Sequence, residues 1–314
     1  MAWLAKYRSA KLLLIIGVAA SVLRLLLDSS YATTALVYVA IPALIALALI
    51  VFVDPYEGHS EHRKFWFFML DSLIVMLATS ALLMEGFICV IMFMPIYFGI
   101  GLLAYIYKRI RGDFRVDSQE DLAQRFKVNA WLALPLLLLS VEGVVPQTSF
   151  ERSNSITRSR VIDASSADII RHLNHPMYYS GDRGWLISIF PQPVRTENPG
   201  LYPGAIHSLH FVYNRWFVTN TKHGEMHVRI DEASPQRIRT SISRNDSYLG
   251  SYIDIRGTEV NLRPLDGDRT EVRLTIRYER TLDPYWYFHP LQKIAVEQSA
   301  DYLLAQIIDP AGQQ

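Results

Sequence analysis

The chain of 314 residues is half hydrophobic and holds 31 basic against 30 acidic residues, a formal charge of +1. That balance excludes bulk attraction to nucleic acid or acidic lipid as the organising force. Its one cysteine, Cys89, excludes an intrachain disulfide framework, and the length allows about two domains.

Five long apolar stretches come first, at 12–27, 35–53, 65–84, 87–107 and 128–145. A bilayer core of ~30 Å takes about 20 helical residues at ~1.5 Å each, and all but the first stretch approach that length. The first is short and contains Arg24. Lys6, Arg8 and Lys11 before it imitate a secretory signal, but the apolar run continues past Ala19-Ala20 and more follow, so a retained helix is expected. The fold expected for this half is an all-α bundle of five transmembrane helices.

Orientation follows from the basic residues of the short loops. They collect at the N-terminus, at Arg63 and Lys64, and between the fourth and fifth stretches at Lys108, Arg109, Arg111, Arg115, Arg125 and Lys127, while 28–34 and 85–86 hold none. With five spans all three basic segments share one side, the cytoplasmic one, and the chain after 146 lies across the membrane. Charged residues inside spans need a partner or an aqueous neighbour. Arg24 and Glu142 both fall about one turn from the outer face, and Glu85 lies at the outer turn, so Arg24 can pair with Glu142 or Glu85. Snorkelling to interfacial water is the alternative. Asp71 sits near the inner end of its helix, a poor match for Arg24.

Pro146 and a polar run, 147–155, mark the start of a different domain. A short strand at 156–162 is followed by a helix capped by Ser165 or Ser166, with Pro176 beyond its end. Residues 174–204 contain Pro176, Pro191, Pro193, Pro199 and Pro203 and read as a loop-dominated excursion, with room for a short helix near 185–190. The period then becomes two. Met226, Val228 and Ile230 alternate with polar neighbours, as do Ile238, Thr240 and Ile242, then Val272, Leu274, Ile276 and Tyr278. One covered and one wet face indicate an antiparallel sheet.

The turn before the last strand sets its register. A three-residue loop, Leu265-Asp266-Gly267, pairs Val260 with Val272 and Leu262 with Thr270. Ile253 and Ile255 are out of phase with Val260 and Leu262, and a bulge at Gly257 restores one apolar face. Without it Asp254 and Arg256 point inward. A helix from about 284 to 308 closes the chain. Tyr287, Leu291, Ile294, Gln298, Tyr302 and Leu303 recur at helical spacing, against polar Gln292, Lys293, Glu297 and Asp301. A curved sheet with such a helix across its apolar face leaves a cavity unless bulky side chains fill it.

The segments SRVIDASSADIIRHL, LRPLDGDRTEVRLTIRY and LDPYWYFHPLQKIAVEQSADYLLAQI, in that order and spacing, resemble the START-like or SRPBCC superfamily, which includes polyketide cyclase-like proteins. The resemblance covers roughly 155–308. It implies an α+β helix-grip fold, an antiparallel sheet wrapped on a long terminal helix, with a space between them that takes lipids, sterols, polyketides or other apolar molecules. The membrane half departs from soluble members and resembles multi-span bacterial proteins carrying such a domain. The expected organisation is 1–146 transmembrane, 147–155 linker and 156–309 START-like. The expected location is a bacterial inner membrane, with a cytoplasmic N-terminus and a periplasmic C-terminal domain.

Aromatic residues are the ligand-binding candidates: Tyr178, Tyr179, Trp185, Phe190 and Tyr202 in the excursion, Tyr278 and Trp286 near the junction of sheet and helix. Core packing and a bilayer-facing entrance use the same side chains. No metal or cofactor is expected. His207 and His210 are three apart in a strand and face opposite ways. Asp168, His172 and His175 share a solvated helix face, and His223 and His227 flank Gly224 in a surface hairpin. No nucleophile elbow, phosphate loop or zinc motif is present, and no catalytic residue is assigned. The partners expected are the bilayer and an apolar small molecule, with no nucleic acid. The readings open at this point are a ligand-binding membrane protein, a cyclase-like or other enzyme acting on an apolar substrate, and a structural or sensory protein whose domain docks a partner.

Overall fold

The computed structural model describes parts of 60–106, then 141–143, and 146–308 apart from 182, 217 and 218. The chain divides into two compact units, Met1–Phe150 with Asp283–Tyr285, and Glu151–Leu282 with Trp286–Gln314.

In the first unit the described residues between 62 and 77 and between 91 and 106 are all helical. Among the described residues no helix is long and apolar enough to cross a membrane. The stretches at 12–27 and 35–53, most of 128–145, and the residues Arg24, Asp71 and Glu85 lie outside the described residues. Residues 141–143, expected at the end of the fifth span, form a turn in which Gly143 has φ +83°. Glu142 is buried within this unit, where its carboxylate accepts the backbone N–H of Tyr285 at 2.9 and 3.0 Å.

The second unit is one eight-stranded antiparallel sheet with a long helix. In chain order it runs β1 (Ser153–Ile162), α1 (Ser166–Leu173), β2 (Met177–Tyr178), α2 (Gly184–Ser188), β3 (Gln192–Glu197), β4 (Ile206–Trp216), β5 (Thr219–Ala233), β6 (Arg237–Asn245), β7 (Ile253–Leu265), β8 (Arg269–Arg280) and α3 (Tyr285–Ile308). The sheet order is β1-β8-β7-β6-β5-β4-β3-β2. Consecutive hairpins build most of it, and β1 joins by pairing with β8 from Ser153 opposite Glu279 to Ile162 opposite Thr270.

The expected cap is present. Ser165 precedes α1, and its side chain accepts the Asp168 N–H at 3.2 Å. The excursion at 174–204 holds more order than its prolines suggest. β3 pairs with β4 and carries β2 at the sheet edge, while its ladder shifts between Pro193 and Arg195, where proline has no N–H to contribute.

The β7–β8 hairpin keeps the expected faces in a different register. The turn is Asp266-Gly267-Asp268 with Gly267 at φ +72°, Leu265 stays in the ladder opposite Arg269, and Leu262 faces Val272 while Val260 faces Leu274. A displacement of two residues leaves each side chain on its original face. Pro264 falls opposite Thr270, whose hydroxyl turns inward and donates to the Ala164 carbonyl at 2.8 Å. That bond ties the start of β8 to the loop before α1. At Gly257 the ladder bulges as expected: Ile255 faces Tyr278 and Gly257 faces Arg277. Ile253, Val260 and Leu262 are consequently all buried.

The core lies between β1, β8, β7 and β6 on one side and α1 and α3 on the other. Ile162, Ile169, Ile238, Leu274 and Ile276 meet Val296, Ala300, Leu304 and Ile307 there. The buried line of α3 is Phe288, Gln292, Val296, Ala300, Leu304 and Ile307, spaced four, four, four, four and three. This corrects the face read from the sequence, on which Ile294 was inward and Gln292 outward. Ile294 is exposed, and Gln292 is only 6% exposed.

Candidate functional site

The interior of the second unit changes character along α3. From Val296 onward the contacts are aliphatic, whereas near Gln292 they become aromatic and polar. Tyr213 points inward from β4, buried on the same side as Phe211. Between β6 and β7 a short 3-10 turn, Tyr248–Ser251, supplies Tyr248, followed by Tyr252. That turn lies close over β5 at Gly224, where a β-carbon would sit 2.7 Å from the Ser247 Cα.

These rings touch. Tyr213 and Tyr248 have centroids 5.9 Å apart, and Phe190, just after α2, meets Tyr252 edge-on at 5.8 Å. The Tyr213 and Tyr252 hydroxyls are 3.4 Å apart, long for a bond between two oxygens. From α3 the Gln292 amide donates through Nε2 to the Tyr252 carbonyl at 2.7 Å. Two phenols and an amide set among aromatic rings suit the holding of an apolar molecule by a few directed hydrogen bonds.

A second polar group fixes the α2 segment against α3. The Arg183 guanidinium donates to the Tyr302 hydroxyl (3.0 Å), the Gln192 side-chain carbonyl (2.8 Å) and the Tyr179 backbone carbonyl (2.8 Å). Its Cζ lies 5.2 Å from the centre of the Tyr302 ring, within cation–π range. The Ser180 carbonyl in turn accepts from Tyr302 (3.2 Å) and Gln306 (3.0 Å). Gly181 and Gly184 flank this anchor with φ of +87° and +70°, the left-handed conformation that glycine adopts without strain.

The expected ligand residues fall into three settings. Phe190 belongs to the aromatic group beside Gln292. Tyr179 is half-buried with its hydroxyl 3.0 Å from that of Thr196, and desolvation pushes its phenol above the ordinary range. Tyr278 is 1% exposed and packs in the aliphatic core. Tyr178, Trp185, Tyr202 and Trp286 stand at the surface, Trp185 with three quarters of its area (75%) exposed. Gln292, Tyr213, Tyr248 and Tyr252 were not singled out from the sequence. The four-residue spacing from Phe288 to Leu304 puts Gln292 on the buried line, but its polarity alone assigns it to the wet face.

The groups weighed for acid–base or metal chemistry lie elsewhere. With the Gly257 bulge in place, Arg256 bridges Asp254 (3.1 Å) and Glu279 (2.6 Å) while itself exposed. The Arg256 hydrogen bond holds the Glu279 carboxyl below its usual value. His207 is buried with Nε2 3.0 Å from the Gly200 carbonyl, and His210 on the opposite face sits 3.1 Å from Glu197. Asp168 is engaged by Ser165 and Arg171, and its pKa is lowered chiefly by the Ser165 hydroxyl. His227 lies 3.1 Å from Glu225. Among the described residues no three metal-ligand side chains come together.

No protein-family model matches the chain, and no curated protein matches it. Solved structures of START-superfamily and related proteins are similar to its C-terminal half. One is a START-superfamily protein from Mycobacterium smegmatis, 14% identical over 51% of this chain and 97% of its own, at a TM-score of 0.37. An aromatase/cyclase from Streptomyces sp. R1128 is 14% identical, covering 51% and 94%, at 0.34. Truncated norcoclaurine synthase from Thalictrum flavum is 11% identical, covering 52% and 96%, at 0.35.

Proposed function

We propose that the second unit binds an apolar small molecule between its sheet and α3, and that the N-terminal half holds it at a membrane. The observation that carries the binding reading is the change along α3 from an aliphatic to an aromatic and polar interior, where Gln292 bonds the Tyr252 carbonyl, Tyr252 meets Phe190 and Tyr213, and Tyr213 meets Tyr248. A domain stabilised by burial alone gains nothing from placing an amide in that line, because a buried polar group must find partners to offset its desolvation. Exposed Trp185, Tyr178 and Tyr202 suit a surface that meets lipid headgroups or an incoming apolar molecule.

The membrane part is supported by the five apolar stretches and the one-sided distribution of Lys and Arg in the sequence. In this reading 1–146 spans a bacterial inner membrane five times and 147–152 tethers a periplasmic ligand-binding domain, whose first strand begins at Ser153 and not at the expected 156. The full chain, purified from its membrane fraction and extracted into organic solvent, is expected to release one apolar compound in about equimolar amount, identified by mass spectrometry. A clean extract from a folded chain, together with no uptake of added apolar probes, would count decisively against binding.

A further inference from the structure

Gln292 is the one buried polar residue among the described residues of α3. Its amide orientation is fixed by its neighbour: the Tyr252 carbonyl can only accept, so the nitrogen must face it, at 2.7 Å, and the oxygen must face away. That oxygen, Oε1, is buried and has no hydrogen-bond partner among the described residues. A buried acceptor left unmatched is unfavourable, and native proteins keep few of them.

We infer that Gln292 Oε1 is the acceptor for a hydroxyl or N–H on the bound molecule, so that the ligand class is an apolar, ring-bearing compound with at least one hydrogen-bond donor. This deepens the proposed function and rests on it. The rings of Phe190, Tyr213, Tyr248 and Tyr252 receive the apolar body, and the amide of α3 reads the donor. A pure hydrocarbon or an ether of the same shape leaves Oε1 unmatched and binds more weakly. Discrimination of this kind comes from the penalty on the site's own unpaired group as much as from the bond gained.

The test uses the full chain and two probes of one shape, 2-naphthol, which has a donor, and 2-methoxynaphthalene, which has none. The wild-type chain is expected to prefer the naphthol by about tenfold, the worth of one hydrogen bond within a buried site. Gln292→Leu is expected to bring the two affinities within about twofold, by the same reckoning. Gln292→Glu, which keeps an acceptor, is expected to retain the preference. The ratio between probes reports recognition, since loosened packing in a variant weakens both probes alike. Equal affinities in the wild-type chain, or a preference undiminished in Gln292→Leu, overturn the assignment and leave apolar binding standing. If neither probe binds and none is displaced by the extracted compound, the assignment and the binding reading both fall. Should Gln292→Leu fail to fold, the wild-type ratio and the Gln292→Glu ratio decide.

Discussion

Gly257 shows how one residue can reconcile two stretches of strand. Its neighbours Ile253 and Ile255 are out of phase with Val260 and Leu262, and the register shift at 255–257 is where the phase is restored. The bulge also brings β7 against β6 so closely that a β-carbon on Gly257 would lie 2.1 Å from the Thr240 carbonyl oxygen. Gly257→Ala is therefore expected to destabilise the fold by about 1–3 kcal/mol, the usual range for forced overpacking, read as a lowered urea midpoint at unchanged slope. An unchanged midpoint would mean that β6 and β7 separate without cost. This position was legible because a phase error in an alternating strand has few remedies. Gln292 was not: its polarity assigned it to the wet face, and the burial of a lone amide depends on what the opposing strands present.

Among the elements, period-two alternation marks the long strands and a serine before residue 167 marks the start of α1, while β2 and β3 lie in a stretch whose prolines read as loop. Pro191 and Pro193 mask a strand whose partner, β4, lies more than ten residues further on, and no local pattern records that pairing. The α2 segment illustrates an element held by few bonds. Its fixed point is Arg183, whose three hydrogen bonds join the 179–192 stretch to itself and to Tyr302 of α3. Arg183→Leu is expected to leave the global unfolding transition within about 1 kcal/mol, because the aliphatic core is untouched, while amide exchange across 181–190 accelerates at least tenfold. Equal exchange in both proteins would show that packing of Ile187 and Phe190 alone holds the segment.

For the whole molecule, the division near 146 was the clearest feature of the sequence, and its physical content differs between the halves. The C-terminal half folds as a curled sheet around a helix, which alternation and one terminal helix foreshadowed. In the proposed membrane reading, the placement of this half outside the cytoplasm follows from the Lys and Arg of the loops. In a Cys89→Ser background, Asp268→Cys in the exposed β7–β8 turn is expected to react with an impermeant maleimide on intact spheroplasts. Ser118→Cys, in the basic loop, is expected to react only after lysis. The reverse pattern would invert the proposed orientation.

The pairing of β1 with β8 has a bearing on how the protein is made. β1 leaves the ribosome more than a hundred residues before the strand it joins, and the helix that completes the core is translated later still. Neither can be supplied by a local hairpin, so the hydrophobic faces of β4 to β7 emerge before their cover exists. The nascent domain must remain without its core until α3 has cleared the ribosome, and through that interval it depends on chaperones or on speed to avoid aggregation.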